Sequence, residues 1–451
     1  MNSQPSKSTS SRRRSPLRVL IAGGGVAGLE ALLALRDLAG ERVRLTLLSP
    51  AAEFVYRPMA VAEPFGRGRA AHHDLHRITE DVGAELLTGA LAGVDEDGHV
   101  AVSAAGERLS YDALLVAVGA GSEPAFRGVL SWTPETDPQL FGGLLRDLDE
   151  GYVKRVAFIV PPGVAWVLPA YELALMTGWQ AWGMGHDDVQ VTVYTPEDAP
   201  LGLFGAQAAA AVRDDLEAAG VKAETGVYVA EDPGGSGRLI LQPGERELDA
   251  ERSVALPRAV GPGITGLPSD PRGFVLTDRY GKVPDAARVW AAGDAIAFPV
   301  KQGGLASQQA DAAAESIAAL AGADVEPEPF RPMLRGMMLT GRGRAWMRHG
   351  AAEAPSEGIA FRRALWWPPT KTGLSARRGG ACPPGSAARR GQAVGADRRE
   401  PTPAVRAGGR GASPRAAAAS CRGIVRVWAH RAWRAGSWAT VRAAPAGSRP
   451  R

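Results

Sequence analysis

The run Leu17-Arg18-Val19-Leu20-Ile21-Ala22, followed at once by Gly23-Gly24-Gly25-Val26-Ala27-Gly28, constrains the fold of this 451-residue chain more than any other feature. The first six residues are almost wholly apolar and read as a strand buried on both faces. A GxGxxG placed between such a strand and a helix suits a dinucleotide, because each glycine meets a separate demand. Gly23 permits the tight turn, Gly25 lets the backbone approach a pyrophosphate, and Gly28 lets the helix pack closely on the strand. The free N–H groups and the dipole at the helix N-terminus favour the anion. Taken alone, the motif also fits a glycine turn with no ligand, so its meaning depends on the rest of the chain.

Residues 26–38 continue as a helix whose Leu29, Leu32, Leu33 and Leu35 require packing, and residues 43–48 form the next strand. This β-α-β unit implies parallel strands in a sheet covered on both faces. Residues 85–120 read as short strands ending in an apolar strand at 113–118, and proline and glycine then accumulate through 119–138 as in a connection between domains. A second strand-helix-strand pattern begins at Val153-Lys154-Arg155-Val156-Ala157-Phe158-Ile159-Val160, passes through a helix around 171–177 and returns at 189–194. A helix around 206–219 and short strands to about residue 260 follow. Residues 289–294 repeat the strand-into-glycine pattern ahead of an alanine-rich helix at about 304–320. The expected fold is α/β, with two Rossmann-like doubly wound domains. A dinucleotide-binding domain spans residues 16–150 and resumes at 266–324, around a second nucleotide-type domain at 151–265. Residues 325–371, rich in Arg, Met and Trp, form a C-terminal cap segment that resists assignment.

Composition changes after Lys371. Positions 372–451 hold 16 arginines, no lysine and only Asp397 and Glu400, a net of +14, whereas positions 1–371 carry 36 basic against 46 acidic side chains, a net of −10. The alkaline pI therefore belongs to the tail. Its Ala/Arg/Gly/Pro mixture lacks apolar periodicity and matches a GC-rich gene read out of frame; the rival is a basic tail that binds nucleic acid through phosphate, which is the less favoured reading. Both cysteines, Cys382 and Cys421, lie in the tail, so the chain up to Lys371 offers no disulfide, thiolate metal site or redox dithiol. Residues 1–15 read as a disordered basic leader, since an export signal would include the first strand. No uncharged apolar stretch reaches bilayer-spanning length, so any membrane contact is peripheral.

Two further segments join the glycine motif. Tyr111-Asp112-Ala113-Leu114-Leu115-Val116-Ala117-Val118-Gly119-Ala120 is a strand running into a glycine crossover, and Val289-Trp290-Ala291-Ala292-Gly293-Asp294 is a strand running into Gly-Asp. In this order the three resemble the flavoproteins of the pyridine nucleotide-disulfide oxidoreductase superfamily. The resemblance implies FAD on Gly23, Gly24, Gly25, Val26, Ala27 and Gly28, with Gly119 and Gly293 at the returning turns and Asp294 on the ribityl chain. The usual ribose-binding acid is replaced by Ser49, which weakens the adenosine contact. Phe54-Val55-Tyr56-Arg57-Pro58 and Lys301-Gln302-Gly303-Gly304-Leu305-Ala306-Ser307-Gln308-Gln309-Ala310 narrow the resemblance to single-flavin quinone reductases: type II NADH dehydrogenases, sulfide:quinone oxidoreductases and the flavin subunit of flavocytochrome c sulfide dehydrogenase. They add Arg57 to the cofactor site. They also make Lys301, Gln308 and Gln309 catalytic candidates near a quinone, against the plainer reading of surface polar residues. The helix N-terminus at Gly303-Gly304 is expected to face the flavin pyrimidine edge.

In the second domain, Pro161-Pro162-Gly163-Val164-Ala165-Trp166-Val167-Leu168-Pro169-Ala170-Tyr171-Glu172 keeps a single glycine where a nicotinamide site would repeat GxGxxG. Its ends resemble the sulfide-oxidising branch, with Trp166 near the place of the redox cysteine. Glu197 reads as a ribose ligand or, more ordinarily, as an exposed strand-end acid. His72 and His76 stand four apart but lack further metal ligands. Met333, Met337, Met338 and Met347 read as core or dimer contact ahead of a quinone channel, and Trp366-Trp367 as a membrane anchor or packing cap. The leading expectation is a cytoplasmic FAD oxidoreductase, peripheral at the inner face of a membrane, passing electrons from a small donor, NAD(P)H among them, to a quinone-like acceptor, with a homodimer open. The rival is a flavin-binding but redox-inactive regulatory module.

Overall fold

Leu17–Ala22 is the middle strand of a five-stranded parallel sheet, with Val43–Ser49 on one side, Ala113–Val116 on the other, and Glu85–Thr88 and Val289–Ala291 at the edges. The computed structural model describes residues 15–136, 138–350 and 358–362. Leu17 pairs with Val43 and Ala22 with Leu48 in unbroken register. Val19, Leu20, Ile21 and Ala22 are all buried, which is why their run is apolar rather than alternating.

The helix Val26–Ala39 connects the first two strands and packs against Gly303–Leu320. The buried faces of both helices are largely alanine, including Ala27, Ala31 and Ala34 on one and Ala306, Ala310 and Ala313 on the other. Small side chains let two helix axes approach closely, and this draws the start of the second helix towards the glycine turn of the first.

A second parallel sheet runs in the spatial order Leu130–Ser131, Arg252–Ala255, Arg155–Ile159, Gln190–Tyr194, Val221–Glu224. The helix expected around 171–177 extends over Leu168–Met184, because Leu173, Ala174, Leu175 and Met176 are all buried and the helix is surrounded by core. Ala206–Ala218 is the next crossover helix. The chain is thus α/β, with two doubly wound parallel sheets accompanied by smaller antiparallel ones.

Two segments that the sequence left open take definite form. Residues 333–361, which resisted assignment, contain a three-stranded antiparallel sheet, Met333–Leu339, Arg344–Gly350 and Ile359–Phe361. Met337, Met338 and Met347 there are packed in the core with Phe204 and Trp346 and do not line a channel. His72 and His76 do not share a helical face: His72 lies on the strand Ala71–Asp74, while His76 is in the helix Leu75–Val82, where Asp74 caps by accepting from the His76 N–H at 2.8 Å. No group of His, Cys, Asp or Glu among the described residues could hold a metal ion. Residues 1–14 of the leader, Trp366-Trp367 and the tail from 372 lie outside the described residues.

Candidate functional site

Three glycine turns meet at the carboxyl ends of three adjacent strands, the place where open α/β sheets bind ligands. Gly23 has φ +117° and donates its N–H to the Leu48 carbonyl at 2.8 Å. A Cβ on Gly23 would lie 2.2 Å from the Ala117 carbonyl oxygen, so only glycine lets the first turn pass the second. On Gly24 a Cβ would come 2.8 Å from Ser49 Oγ, and on Gly28 it would come 1.8 Å from the Gly23 carbonyl. Gly25 is the exception: nothing lies within 4 Å of a Cβ built there. It occupies the N-cap of Val26–Ala39, and no side chain caps the helix. The N–H groups of the first turn therefore face a space with room for an anion. Val26 is half-buried, and Ala27 is buried beneath this space.

The third turn closes on the first. The Ala292 N–H reaches the Val116 carbonyl at 3.0 Å, and Gly293, at φ +79°, lies so near Ala27 that a Cβ would come within 2.9 Å of the alanine methyl. Gly119, also at φ +79°, has open space around it. Asp294 follows Gly293. Desolvation pushes its carboxyl above the usual range, and the nearby Lys301 charge opposes this. Lys301 is buried, donates to the Ile296 carbonyl, and holds its ammonium 3.8 Å from the centre of the Phe274 ring. Burial lowers its pKa to about 8 despite the opposing pull of Asp294.

Gln308 and Gln309 are committed to backbone groups rather than solvated. Gln309 Oε1 accepts from the Gly293 N–H at 2.9 Å, tying the helix Gly303–Leu320 to the Gly-Asp turn. Gln308 faces the C-terminal sheet, with Nε2 donating to Gly304 and Met333 carbonyls and Oε1 accepting from the Met333 N–H. Gln302, not singled out from the sequence, caps this helix by accepting from the Leu305 N–H at 2.9 Å and donates to the Arg335 carbonyl at 3.0 Å. Its signal was its place directly before Gly303-Gly304, although glutamine is not a common cap.

Ser49 is buried, and its hydroxyl donates to the Ala51 carbonyl at 2.9 Å, so its proton is used within its own turn. Arg57 is more than half exposed and pairs with Glu135 at 2.9 Å.

The second sheet has its own crossover turn. Val167 caps Leu168–Met184 without a side-chain hydrogen bond, and Pro169 in the first turn has no N–H to offer. Glu197 is not an exposed strand-end acid. Its Oε2 accepts from Tyr171 Oη at 2.6 Å and Thr195 Oγ1 at 3.0 Å, and desolvation holds its carboxyl above the ordinary value against those hydrogen bonds and a backbone N–H from Leu201. The tyrosine hydroxyl is raised in turn, chiefly by burial and then by the Glu197 charge. Beside this carboxyl lies a cavity of about 540 Å³.

Together the parallel sheets and their converging glycine turns define a dinucleotide-binding flavoprotein fold. Residues 17–316 match the pyridine nucleotide-disulphide oxidoreductase family, and the chain belongs to it. Among curated proteins it is similar to the sulfide-quinone reductase of Aquifex aeolicus (strain VF5), at 25% identity over 199 residues, 42% of this chain; the alignment spans 44% of that relative. The solved sulfide:quinone oxidoreductase of Aquifex aeolicus matches with a TM-score of 0.66 and 20% identity, covering 76% of this chain and 86% of that one. The ferredoxin reductase for the CYP199A2 system of Rhodopseudomonas palustris has a TM-score of 0.56 at 18% identity, covering 77% and 89%. A NAD-dependent persulfide reductase from A. fulgidus has a TM-score of 0.52 at 19% identity, covering 74% and 64%. At these identities the solved structures show the fold alone. The family is one of oxidoreductases, and membership implies FAD as the cofactor. No helix among the described residues is long and apolar enough to cross a membrane.

Proposed function

We propose that this chain is an FAD-dependent oxidoreductase that carries electrons from a small donor to a quinone-like acceptor, working in the cytoplasm and touching the inner face of the membrane peripherally. The observation that carries the reading is the convergence of the three turns, close-packed at Gly23, Gly24, Gly28 and Gly293, with open space left beside Gly25 for a pyrophosphate. FAD, held there, supplies the redox chemistry. Gly23, Gly24 and Gly28 shape the cradle, Gly25, Val26 and Ala27 present backbone to the pyrophosphate, Gly293 packs closely on Ala27, and Gly119 leaves its turn open towards the cofactor. Ser49 can still accept a hydrogen bond from a ribose hydroxyl although its own proton is used. Asp294 holds the ribityl hydroxyls. Lys301 places a titratable ammonium next to that carboxyl, and Gln309 fixes the turn that carries it. Gln308 and Arg57 act at a distance, the first by anchoring the helix to the sheet of residues 333–361, the second through Glu135. The two parallel sheets correspond to a flavin domain interrupted by a degenerate nucleotide domain.

NAD(P)H as donor is the weaker part of the reading, because the turn after Arg155–Ile159 lacks the glycines of a second cradle. That same alteration favours a second reading, a flavin-binding module without turnover. Purification decides the first step: the protein is expected to emerge yellow with one noncovalent FAD, and a colourless protein that ignores added FAD overturns both readings. Mixing chemically reduced protein anaerobically with a soluble quinone analogue then separates them, since only the oxidoreductase regains its flavin absorbance at once.

A further inference from the structure

The cavity beside Glu197 lies between the altered turn of the second sheet and the segment leading into Lys301. Its walls include Val164, Trp166, Leu203 and Val300, and its polar side is formed by Glu197 and Asp198. Lys301 donates its backbone N–H to the Ala165 carbonyl at 3.1 Å, which ties the cavity wall to the segment that carries Lys301. Trp166 is half-buried and meets Phe204 edge-on, with centroids 6.1 Å apart at 69°, which fixes the indole as a rigid wall.

Three features oppose a nicotinamide dinucleotide in this place. The turn retains only Gly163, Pro169 withdraws an N–H from the helix start, and no lining residue is basic. The remaining chemistry is complementary to something else. An apolar pocket with a few convergent polar atoms suits a small organic molecule. A carboxylate oriented by Tyr171 and Thr195 can accept a hydrogen bond from it.

Building on the oxidoreductase reading, we infer that this cavity binds a small, uncharged, flat aromatic molecule of the phenol class, its ring against Trp166 and its hydroxyl donating to Glu197, rather than a nicotinamide dinucleotide. The one other charged side chain lining the cavity is the exposed Asp198, and the Tyr171 hydroxyl donates to Glu197 at 2.6 Å. The site is neutral to negative throughout.

The test uses the FAD-loaded protein and 2-naphthol as probe, titrated calorimetrically, with NADH titrated in parallel. 2-Naphthol is expected to bind at one site. Ala199→Trp, which fills the cavity, and Trp166→Ala, which removes its wall, should each weaken that binding by about tenfold or more while leaving FAD content unchanged. NADH is expected to show no saturable binding up to millimolar concentration. Binding of 2-naphthol that neither substitution alters, or NADH binding that 2-naphthol displaces, overturns the inference. Flavin content is read separately from these titrations, so loss of the oxidoreductase reading, seen as a colourless protein, is distinct from loss of this one.

Discussion

Gln309 Oε1 accepts the backbone N–H of Gly293 at 2.9 Å, joining two residues that lie on different elements and meet directly above Ala27. The bond is buried, and the amide it satisfies belongs to the turn that delivers Asp294. Without the acceptor, that N–H would lose its partner in a place that water reaches poorly.

Gln309→Leu is therefore expected to destabilise the chain by about 1–3 kcal/mol, the usual penalty for an orphaned buried donor, and to lower the flavin bound per protein. Gln309→Glu keeps an acceptor and should lose less of both. Thermal unfolding and flavin absorbance of the purified variants check the pair, and equal losses in the two would show that the hydrogen bond is not what matters.

The glycines of the first turn separate cradle from fold. Gly25→Val adds atoms where nothing lies within 4 Å, so the variant should fold with little change in stability yet fail to retain FAD. Gly28→Val instead drives its side chain into the Gly23 carbonyl, 1.8 Å from the added Cβ, and should fail to fold. Circular dichroism and flavin content distinguish the two; a yellow Gly25→Val protein would remove the pyrophosphate from this turn.

Much of this architecture is legible in the sequence because it is local. A strand buried on both faces needs a continuous apolar run, and a helix started by glycines needs them at fixed spacing, so both parallel sheets could be anticipated from residues 17–49 and 153–194. What escaped were pairings across distance. Nothing near Glu197 in sequence announces Tyr171, 26 positions earlier, as the hydroxyl that donates to it. The strand Met333–Leu339 lacks polar-apolar alternation because both of its faces are largely covered, one of them by Phe204 against Gly336. Gln302 escaped because a glutamine cap becomes visible only when its other end meets Arg335.

Lys301 gives a pH signature. Burial lowers its pKa from 10.5 to about 8, so the folded chain releases this proton before the unfolded chain does. Between those values the unfolded state binds more protons, and stability rises with pH. Lys301→Met should abolish that rise and be the more stable form below the window. Asp294→Asn removes the charge that opposes the shift and should lower the lysine pKa further. Denaturant unfolding followed across the window checks both, and an unchanged profile in Lys301→Met would place the titration elsewhere.

The donor experiment asks the most of the second sheet. Oxidation of sulfide through a cysteine persulfide requires a thiolate, and the chain up to Lys371 contains no cysteine, with Trp166 near the position that the resemblance to the sulfide-oxidising branch gives to that residue. Sulfide should therefore bleach the flavin only slowly, and replacing Cys382 and Cys421 by serine should leave that rate unchanged. NADH should also reduce the flavin slowly, without saturating at low concentration, because Pro161-Pro162-Gly163 cannot bring backbone amides to a pyrophosphate as a glycine turn does. Anaerobic stopped-flow records of flavin bleaching with each donor measure both rates. Saturation by micromolar NADH would show that the proline turn binds nucleotide, and a serine-sensitive sulfide rate would bring the C-terminal cysteines into the reaction.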